Sequence, residues 1–287
     1  MEIKINGKPL NFTLDNEKTI GEVLAALEQW LTDSGHRMSE LSIDGEIISA
    51  SMIEDAFSRD IMTLKILDIS TKTTAELATS CLLTLLDDIK KYESLDYGEK
   101  TQFFKTWQKS AQAKFISEQW SALFSSCADV FSGGSVNSRV LQSITEERLR
   151  EINKPAQELV NLEPLLIETC NRLVDLPLDI QTGKDKRAAE TIQLFSCASE
   201  KIFRIYKQLK NQGLLKEESS DASEETKEKS ILALINDFGE ATKELLQAYE
   251  RQDIILVGDL AEYEMAPQLQ NLYKVIMLNI RGTAGSQ

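Results

Sequence analysis

The sequence predicts an α+β protein in which a small N-terminal domain with strands is followed by a mostly α-helical body, either a bundle or an array of helical hairpins. Three observations predict this class. Residues 1 to 69 alternate apolar and polar side chains around turn residues, as strands do. From Thr71 to about Ile280, apolar residues recur at steps of three and four, as in amphipathic helices. A hydrophobic fraction of 42% over 287 residues is sufficient for a buried core.

The first predicted element is a β-hairpin. Residues 2 to 5 alternate polar and apolar side chains, and Asn6-Gly7 supplies the two residues with positive φ that a type I′ turn needs. After the turn, apolar residues return at every second position: Leu10, Phe12 and Leu14.

A helix is predicted next. Thr19 and Glu22 have the spacing of a capping box, and Asp33-Ser34-Gly35 has the composition of a helix stop. Between them, apolar residues follow the helical period: Ile20, Val23, Leu24, Leu27, Trp30 and Leu31. This face is expected to pack on the hairpin.

The domain is expected to close with a short strand at Leu41–Ile43, a turn at Asp44-Gly45, a short segment from Ile53 to Phe57 and a last strand from Thr63 to Ile69. This order of elements resembles the β-grasp, or ubiquitin-like, fold over residues 1–69. Modifiers and sulfur carriers of that fold end in a free Gly-Gly, whereas here the last strand continues through Ser70 into a helix. The resemblance therefore implies a protein-binding module, residues 1–70, fused to the helical body.

The helical body is divided by two changes of composition. Ser132-Gly133-Gly134-Ser135 breaks the helical pattern, and the stretch from Asn211 to Ser230 is nearly all polar and rich in carboxylates. The predicted parts are a helical hairpin region (71–131), a helical bundle region (140–211), an acidic flexible linker (212–229) and a C-terminal helical hairpin (230–287). In the last part, Asp253 is expected to cap a helix and Pro267 to kink or restart it.

Parts of the helical body align with each other at an offset of 68 residues, and the sequence leaves open whether this alignment is a true internal repeat. In both copies a helix leads to a short polar segment and then to a second helix. The matched pairs are Leu166 with Leu234, Ile167 with Ile235, Asp185 with Asp253, Ile192 with Leu260, and Phe195 with Tyr263.

The net charge of −14 disfavours general nucleic-acid binding and attraction to anionic membranes. The first seven residues do not have the basic and apolar pattern of a signal sequence, and no run of 18 apolar residues occurs, so neither a signal peptide nor a membrane span is expected. The four cysteines lie in apolar helical patterns without metal-ligand spacing, and this predicts small buried thiols in a reducing compartment. They are Cys81, Cys127, Cys170 and Cys197. A soluble, cytoplasmic protein is expected.

No motif predicts a catalytic, cofactor-binding or metal-binding residue. Gly133-Gly134 lacks the other residues of a phosphate-binding loop, and Thr182-Gly183-Lys184-Asp185 is typical of a helix N-terminus. His36, the single histidine, is expected in a solvent-facing loop without partners for a hydrolytic triad.

The acidic cluster Asp259, Glu262 and Glu264 places two carboxylates on one face of an α-helix, but it lacks the histidines of di-metal bundle sites. A solvated acidic face is the preferred interpretation.

The function expected from these observations is that of a non-catalytic adaptor, which binds a protein through grooves of the helical body or through the face of the sheet. The alternative is a cytosolic chaperone or assembly factor for a secreted or filament subunit, because the segment Leu245–Asp253 and the acidic helix after it resemble flagellar export chaperones. An enzyme with carboxylates on helices is a third alternative.

Overall fold

The computed structural model describes residues 1–11, 17–49, 52–216 and 231–280. It confirms the α+β class, with a small mixed sheet at the N-terminus and helices from residue 74 onward. The chain divides into two compact units, Met1–Leu149 and Arg150–Gln287. None of the helices in the described ranges is long and apolar enough to cross a bilayer. The predicted acidic linker lies mostly on residues 217–230, outside the described residues.

Unit 1 begins with a five-stranded sheet of order β2-β1-β5-β3-β4, in which the central pair β1 and β5 is parallel and the other pairs are antiparallel. The strands are β1 (Glu2–Ile5), β2 (Lys8–Pro9), β3 (His36–Ile43), β4 (Glu46–Ile47) and β5 (Ile66–Thr73). The predicted hairpin turn is confirmed, because Asn6 and Gly7 both have positive φ, 51° and 74°. β2 ends at Pro9, and the predicted positions Phe12 and Leu14 lie outside the described residues.

The helix α1 (Ile20–Asp33) packs on one face of this sheet, and its capping box is confirmed by hydrogen bonds in both directions between Thr19 and Glu22. The core between helix and sheet consists of aliphatic side chains, chiefly Ile3, Ile20, Val23, Leu24, Leu27, Leu41, Ile43, Leu67 and Ile69. Trp30 was expected on the same face and is instead 49% exposed. It lies in the last turn at the margin of the apolar face, where a large indole is only partly covered.

Two strand predictions are wrong in their bounds. β3 begins at His36 rather than Leu41, because its first half pairs with the extension of β5 to Thr73. β5 begins at Ile66 rather than Thr63. The Asp60 side chain accepts a hydrogen bond from the Met62 backbone N–H (2.8 Å), and this favours a 3₁₀ turn at Ile61–Thr63 over a strand. The segment Ile53–Phe57 is a short helix, α2.

β5 runs directly into the helix α3 (Thr74–Ser94). Thr73 ends the strand and is the N-cap of the helix: its hydroxyl accepts from the Glu76 N–H (3.1 Å), and its own N–H donates to the Glu76 carboxylate (2.7 Å). The predicted continuation of the last strand into a helix is therefore confirmed, and the sheet has no free C-terminal tail at this point.

Unit 1 continues with short helices that enclose an aromatic cluster. Rings in contact have centroids 5.0 to 5.8 Å apart; the cluster is Tyr92, Phe103, Trp107, Phe124 and Phe131. The helices are α4 (Tyr97–Trp107), α5 (Ala111–Gln119), α6 (Ser121–Phe131) and α7 (Ser138–Asn153), and the boundary between the units falls within α7.

Unit 2 is built around α9, which packs against α8, α10, α12 and α13. Its helices are α8 (Pro155–Asn161), α9 (Glu163–Gln181), α10 (Asp185–Asn211), α11 (Ile231–Glu250), α12 (Ile254–Asp259) and α13 (Ala266–Leu278). Asp253 caps α12 as predicted, by accepting from the Leu256 N–H at 3.1 Å. Pro267 lies in the first turn of α13, which is consistent with the predicted restart.

A π-helix, Leu260–Met265, joins α12 to α13. Two contacts fix the direction of this continuous helical segment along α9: Gly258 lies against the ring of Pro177, and the Cys170 thiol contacts the carbonyl oxygen of Ala266 at 3.6 Å. Since residue numbers rise on one helix as they fall on the other, the two run antiparallel.

The proposed internal repeat corresponds to two helix–turn–helix pairs with different surroundings. Asp185 is the first residue of α10, and its counterpart Asp253 is the N-cap residue of α12, so the two positions differ by one residue. Phe195 is buried, however, whereas its counterpart Tyr263 lies in the π-helix and is 67% exposed. The two copies therefore differ in the second helix of each pair.

Candidate protein-binding surface

Within unit 2, the outward face of α9 carries aliphatic side chains that are about half exposed. Ile167, Val174 and Leu178 are 55%, 48% and 57% exposed, and Asn171 lies between them on the same face. Their spacing of four, three and four residues places all four side chains in one stripe along the helix. The opposite face of α9 is fully packed, with Leu173 and Leu176 inaccessible to solvent.

The helix α12 extends this apolar area. Ile254 and Ile255 are 46% and 73% exposed. Gly258, one turn after Ile254, contacts Pro177, and the antiparallel direction places Ile254 toward the C-terminal end of α9, where Leu178 lies. We call these five aliphatic side chains the α9–α12 surface: Ile167, Val174, Leu178, Ile254 and Ile255.

The N-terminal half of the surface is bordered by carboxylates. Glu163 and Glu168 lie on either side of Ile167 around the helix, and neither has a cation within ion-pairing distance among the residues described. Both line a shallow groove of about 580 Å³ together with Pro164, Ile167, Asn171, Arg172, Asp175 and Arg187. Asp175 differs from the two glutamates because Arg187 binds it at 2.9 Å.

Ion pairs around the buried carboxylate of Asp179 hold α9 and α10 together. Asp179 is 1% exposed, with Lys184 Nζ 3.3 Å from one oxygen and Arg187 Nε 3.2 Å from the other. The second contact is electrostatic and lacks hydrogen-bond alignment. Arg172 adds bonds to Thr191 (3.2 Å) and Glu190 (3.4 Å) across the same pair of helices. These contacts hold α9 against α10.

The sheet face is the second surface that the sequence predicts for binding. The strand register places Lys4, Asp68, Ser42 and Ile47 in one row on the side away from α1. Only Ile47, which is 61% exposed, is aliphatic in this row. This row of the sheet is thus mainly polar.

Gly133-Gly134 and Thr182–Asp185, the two motifs with glycine, lie at connections between helices. Gly133 has φ of +81° and ends α6, and the space over Gly134 is filled by the Asp129 carboxylate, which accepts from the Val136 N–H at 2.7 Å. Thr182–Asp185 form the turn from α9 to α10, with Lys184 bonded to Asp179.

His36 corrects one prediction. It is the first residue of β3 and is partly buried, with Nδ1 2.9 Å from the Ser34 carbonyl oxygen, whereas a solvent-facing loop was expected. Its register partner is Thr73, so the extension of β5 draws His36 into the sheet.

The predicted shared face of Asp259 and Glu262 assumed an α-helix. These residues flank the start of the π-helix, in which backbone bonds join residues five apart, so the assumed spacing does not apply. Across the described ranges, no group of three His, Cys, Asp or Glu side chains is arranged to hold a metal ion.

The cysteines are free thiols, and three have reduced reactivity because of burial. Burial raises the pKa of Cys81 to about 11 and that of Cys127 to about 12, and it also raises the pKa of Cys170. Cys197 is exposed and Cys81 is only partly buried, which contradicts the prediction that all four are buried. Cys197 lies on the outer face of α10. It falls within an apolar helical pattern of the sequence, but its own side chain faces solvent.

Comparisons with known proteins match the two units separately. Residues 1–73 match a family model described as the TP0873 N-terminal domain, and residues 156–275 match the model of a domain of unknown function, DUF8042. Over 71 residues the chain is 34% identical to an uncharacterized protein of Treponema pallidum (strain Nichols). This alignment covers 25% of the present chain and 36% of that protein, so the chain spans about a third of the relative's length. No solved structure matches. The first match ends where β5 ends, and the second covers nearly all of α8 to α13.

Proposed function

We propose that the chain is a non-catalytic protein-binding adaptor whose main binding site is the α9–α12 surface. One observation carries the proposal: five aliphatic side chains, each about half exposed or more, lie on two helices that pack on each other and whose other faces are packed in a core. Covering their exposed parts would contribute on the order of 5 kcal/mol before the costs of association. An uncovered aliphatic area of this kind is typical of interaction sites.

The N-terminal sheet is the second module of the proposed adaptor. The order β2-β1-β5-β3-β4, with a parallel central pair and α1 across one face, supports a β-grasp fold for residues 1–73. Because β5 continues into α3, the module fits a role in binding rather than in conjugation through a free C-terminus. The four free thiols support a reducing compartment, so we propose a cytoplasmic location.

The test of the main binding site is affinity capture with the full chain and two matched variants. The double variant Val174→Glu, Leu178→Glu places charges on the surface, and Leu83→Glu changes a similarly exposed leucine (52%) on α3 in unit 1. Proteins captured by the wild-type chain should be lost with the double variant and retained with Leu83→Glu. Equal capture by all three chains would show that the surface is not the binding site.

The chaperone alternative differs in the state of the bound protein. An adaptor binds a folded partner, whereas a chaperone holds a client that is unfolded or partly folded. Amide hydrogen exchange of a captured protein decides between them, because a client should exchange rapidly outside the bound segment.

A further inference from the structure

We infer that the segment bound by the α9–α12 surface is a single amphipathic helix of a different protein, with Lys or Arg residues beside its apolar stripe at the end that covers Glu163 and Glu168. This inference rests on the proposed function and specifies the chemistry of the partner. The spacing of the exposed stripe and the charge of its border support it.

The spacing of the exposed stripe fits a helix. Ile167, Asn171, Val174 and Leu178 follow the alternating steps of four and three that form the contact seam of paired helices. α9 is itself a helix, held against α10 by the ion pairs around Asp179. A partner helix laid along α9 would cover all four side chains, and its C-terminal or N-terminal end would reach Ile254 and Ile255. Asn171, at the centre of the seam, favours a polar residue opposite it.

The negative charge at the border of the α9–α12 surface favours a partner with basic side chains. Glu163 and Glu168 are on opposite sides of the seam and lack cationic partners among the residues described, whereas Asp175 farther along is already paired with Arg187. Covering Ile167 would remove water from both glutamates, and a carboxylate that loses water needs a cation or a hydrogen-bond donor. Cationic side chains on the partner at this end would satisfy them.

The same carboxylates disfavour two pairings of α9 with a second copy of this chain. A parallel pairing of two α9 helices about a twofold axis would place Glu163 and Glu168 of one copy beside those of the other. An antiparallel pairing about Asn171 would place Glu168 opposite Val174 of the other copy and Glu163 opposite Asp179. The first arrangement joins like charges, and the second places one carboxylate on an aliphatic side chain and the other beside a carboxylate.

The test uses two synthetic helical peptides of about 20 residues, with Leu at the seam positions and one central Asn. One peptide carries Lys beside the seam in one half, and the other carries Glu at the same positions. Binding to the full chain is measured by fluorescence anisotropy. We expect the Lys peptide to bind at least about tenfold more tightly at about 50 mM NaCl, and the ratio to fall at about 500 mM NaCl.

Three variants show where on the chain the preference for Lys arises. Glu163→Gln combined with Glu168→Gln should remove the preference for Lys, whereas Glu28→Gln combined with Glu54→Gln, an equal change of charge on exposed positions of unit 1, should keep it. Leu178→Glu should weaken both peptides. Circular dichroism of each variant shows that the fold is retained.

The outcomes separate the inference from the proposed function. If the two peptides bind equally and Leu178→Glu weakens both, the basic partner is overturned while the binding surface stands. If Leu178→Glu has no effect on either peptide, or if neither peptide binds, the inference is overturned and the capture experiment decides the function by itself. A dimer in sedimentation that Leu178→Glu dissociates would identify a second copy as the occupant and would also overturn the inference.

Discussion

Gly258 and Gly239 are both helical glycines of unit 2, but their surroundings are opposite. A Cβ at Gly258 would lie 2.9 and 3.0 Å from the Pro177 ring, whereas a Cβ at Gly239 would have no atom within 4 Å. Glycine in a helix interior costs about 1 kcal/mol of stability relative to alanine, and of these two glycines only Gly258 has a packing reason for that cost.

We therefore expect Gly239→Ala to stabilise the chain by about 1 kcal/mol. Gly258→Ala should be less stable than Gly239→Ala by about 1 to 3 kcal/mol, because the added methyl group overpacks the contact with Pro177. Urea unfolding monitored by circular dichroism measures both, and equal stability of the two variants would contradict this account of the packing of α12 on α9.

The junction of β5 with α3 depends on one hydrogen-bonded pair, Thr73 and Glu76. Hydrogen bonds from the Thr73 backbone N–H and hydroxyl lower the pKa of Glu76 below its ordinary value. A carboxyl group with a lowered pKa stabilises the folded state above the pKa it has when unfolded, and this contribution is lost as the pH falls through the lowered value. Thr73→Ala should raise the pKa of Glu76 toward its ordinary value and lower the Tm at pH 7, and the difference in Tm from the wild type should shrink in acid.

An NMR titration of Glu76 and thermal melts at both pH values measure these effects. Thr106→Ala is the control, because the Thr106 hydroxyl only bonds back to the Gln102 carbonyl oxygen within α4 (3.1 Å). A Glu76 pKa that does not move in Thr73→Ala would show that the capping box does not act at this junction.

Elements with local signals were predictable from the sequence, and those set by distant contacts were not. The capping box of α1, the Asn6-Gly7 turn and the Asp253 cap each depend on side chains within a few residues, so their positions were predicted correctly. The start of β3 at His36 depends on pairing with Thr73, which is distant in sequence. The π-helix was missed because it holds one extra residue in its turn, so the apolar periods before and after it do not fall on one helical wheel.

The α9–α12 surface could also be predicted only in part, because distant contacts decide which side chains are exposed. The sequence marks Leu166, Leu173 and Leu176 as apolar positions of α9, and all three are buried. Ile167, Val174 and Leu178 belong to an equally regular series, and only the arrangement of α10, α12 and α13 around α9 decides which series is left exposed. A helix with two apolar stripes was a usable signal for a binding surface, because one stripe suffices for a helix at the edge of a core.

At the scale of the whole molecule, the net charge of −14 is the property with the most direct consequence. The summed negative field should repel a phosphate backbone at distances shorter than the Debye length, about 10 Å at 0.1 M salt. We expect no mobility shift of a random-sequence DNA duplex with micromolar protein at low salt. An acidic protein without affinity for DNA serves as the negative control, and a basic DNA-binding protein serves as the positive control. A shift that weakens as salt rises would reveal a local cationic surface that outweighs the net charge.

The direct join of β5 to α3 also has a mechanical consequence. With no loop between them, the orientation of α3 is set by the last residues of the strand, and Thr73 acts as the pivot. A helix of 21 residues is about 30 Å long, so a rotation of about 5° at the pivot would displace its far end by roughly 3 Å. A twist imposed on the sheet of unit 1 would therefore rotate α3 as a rigid helix and displace Ser94, at its far end, by a measurable distance.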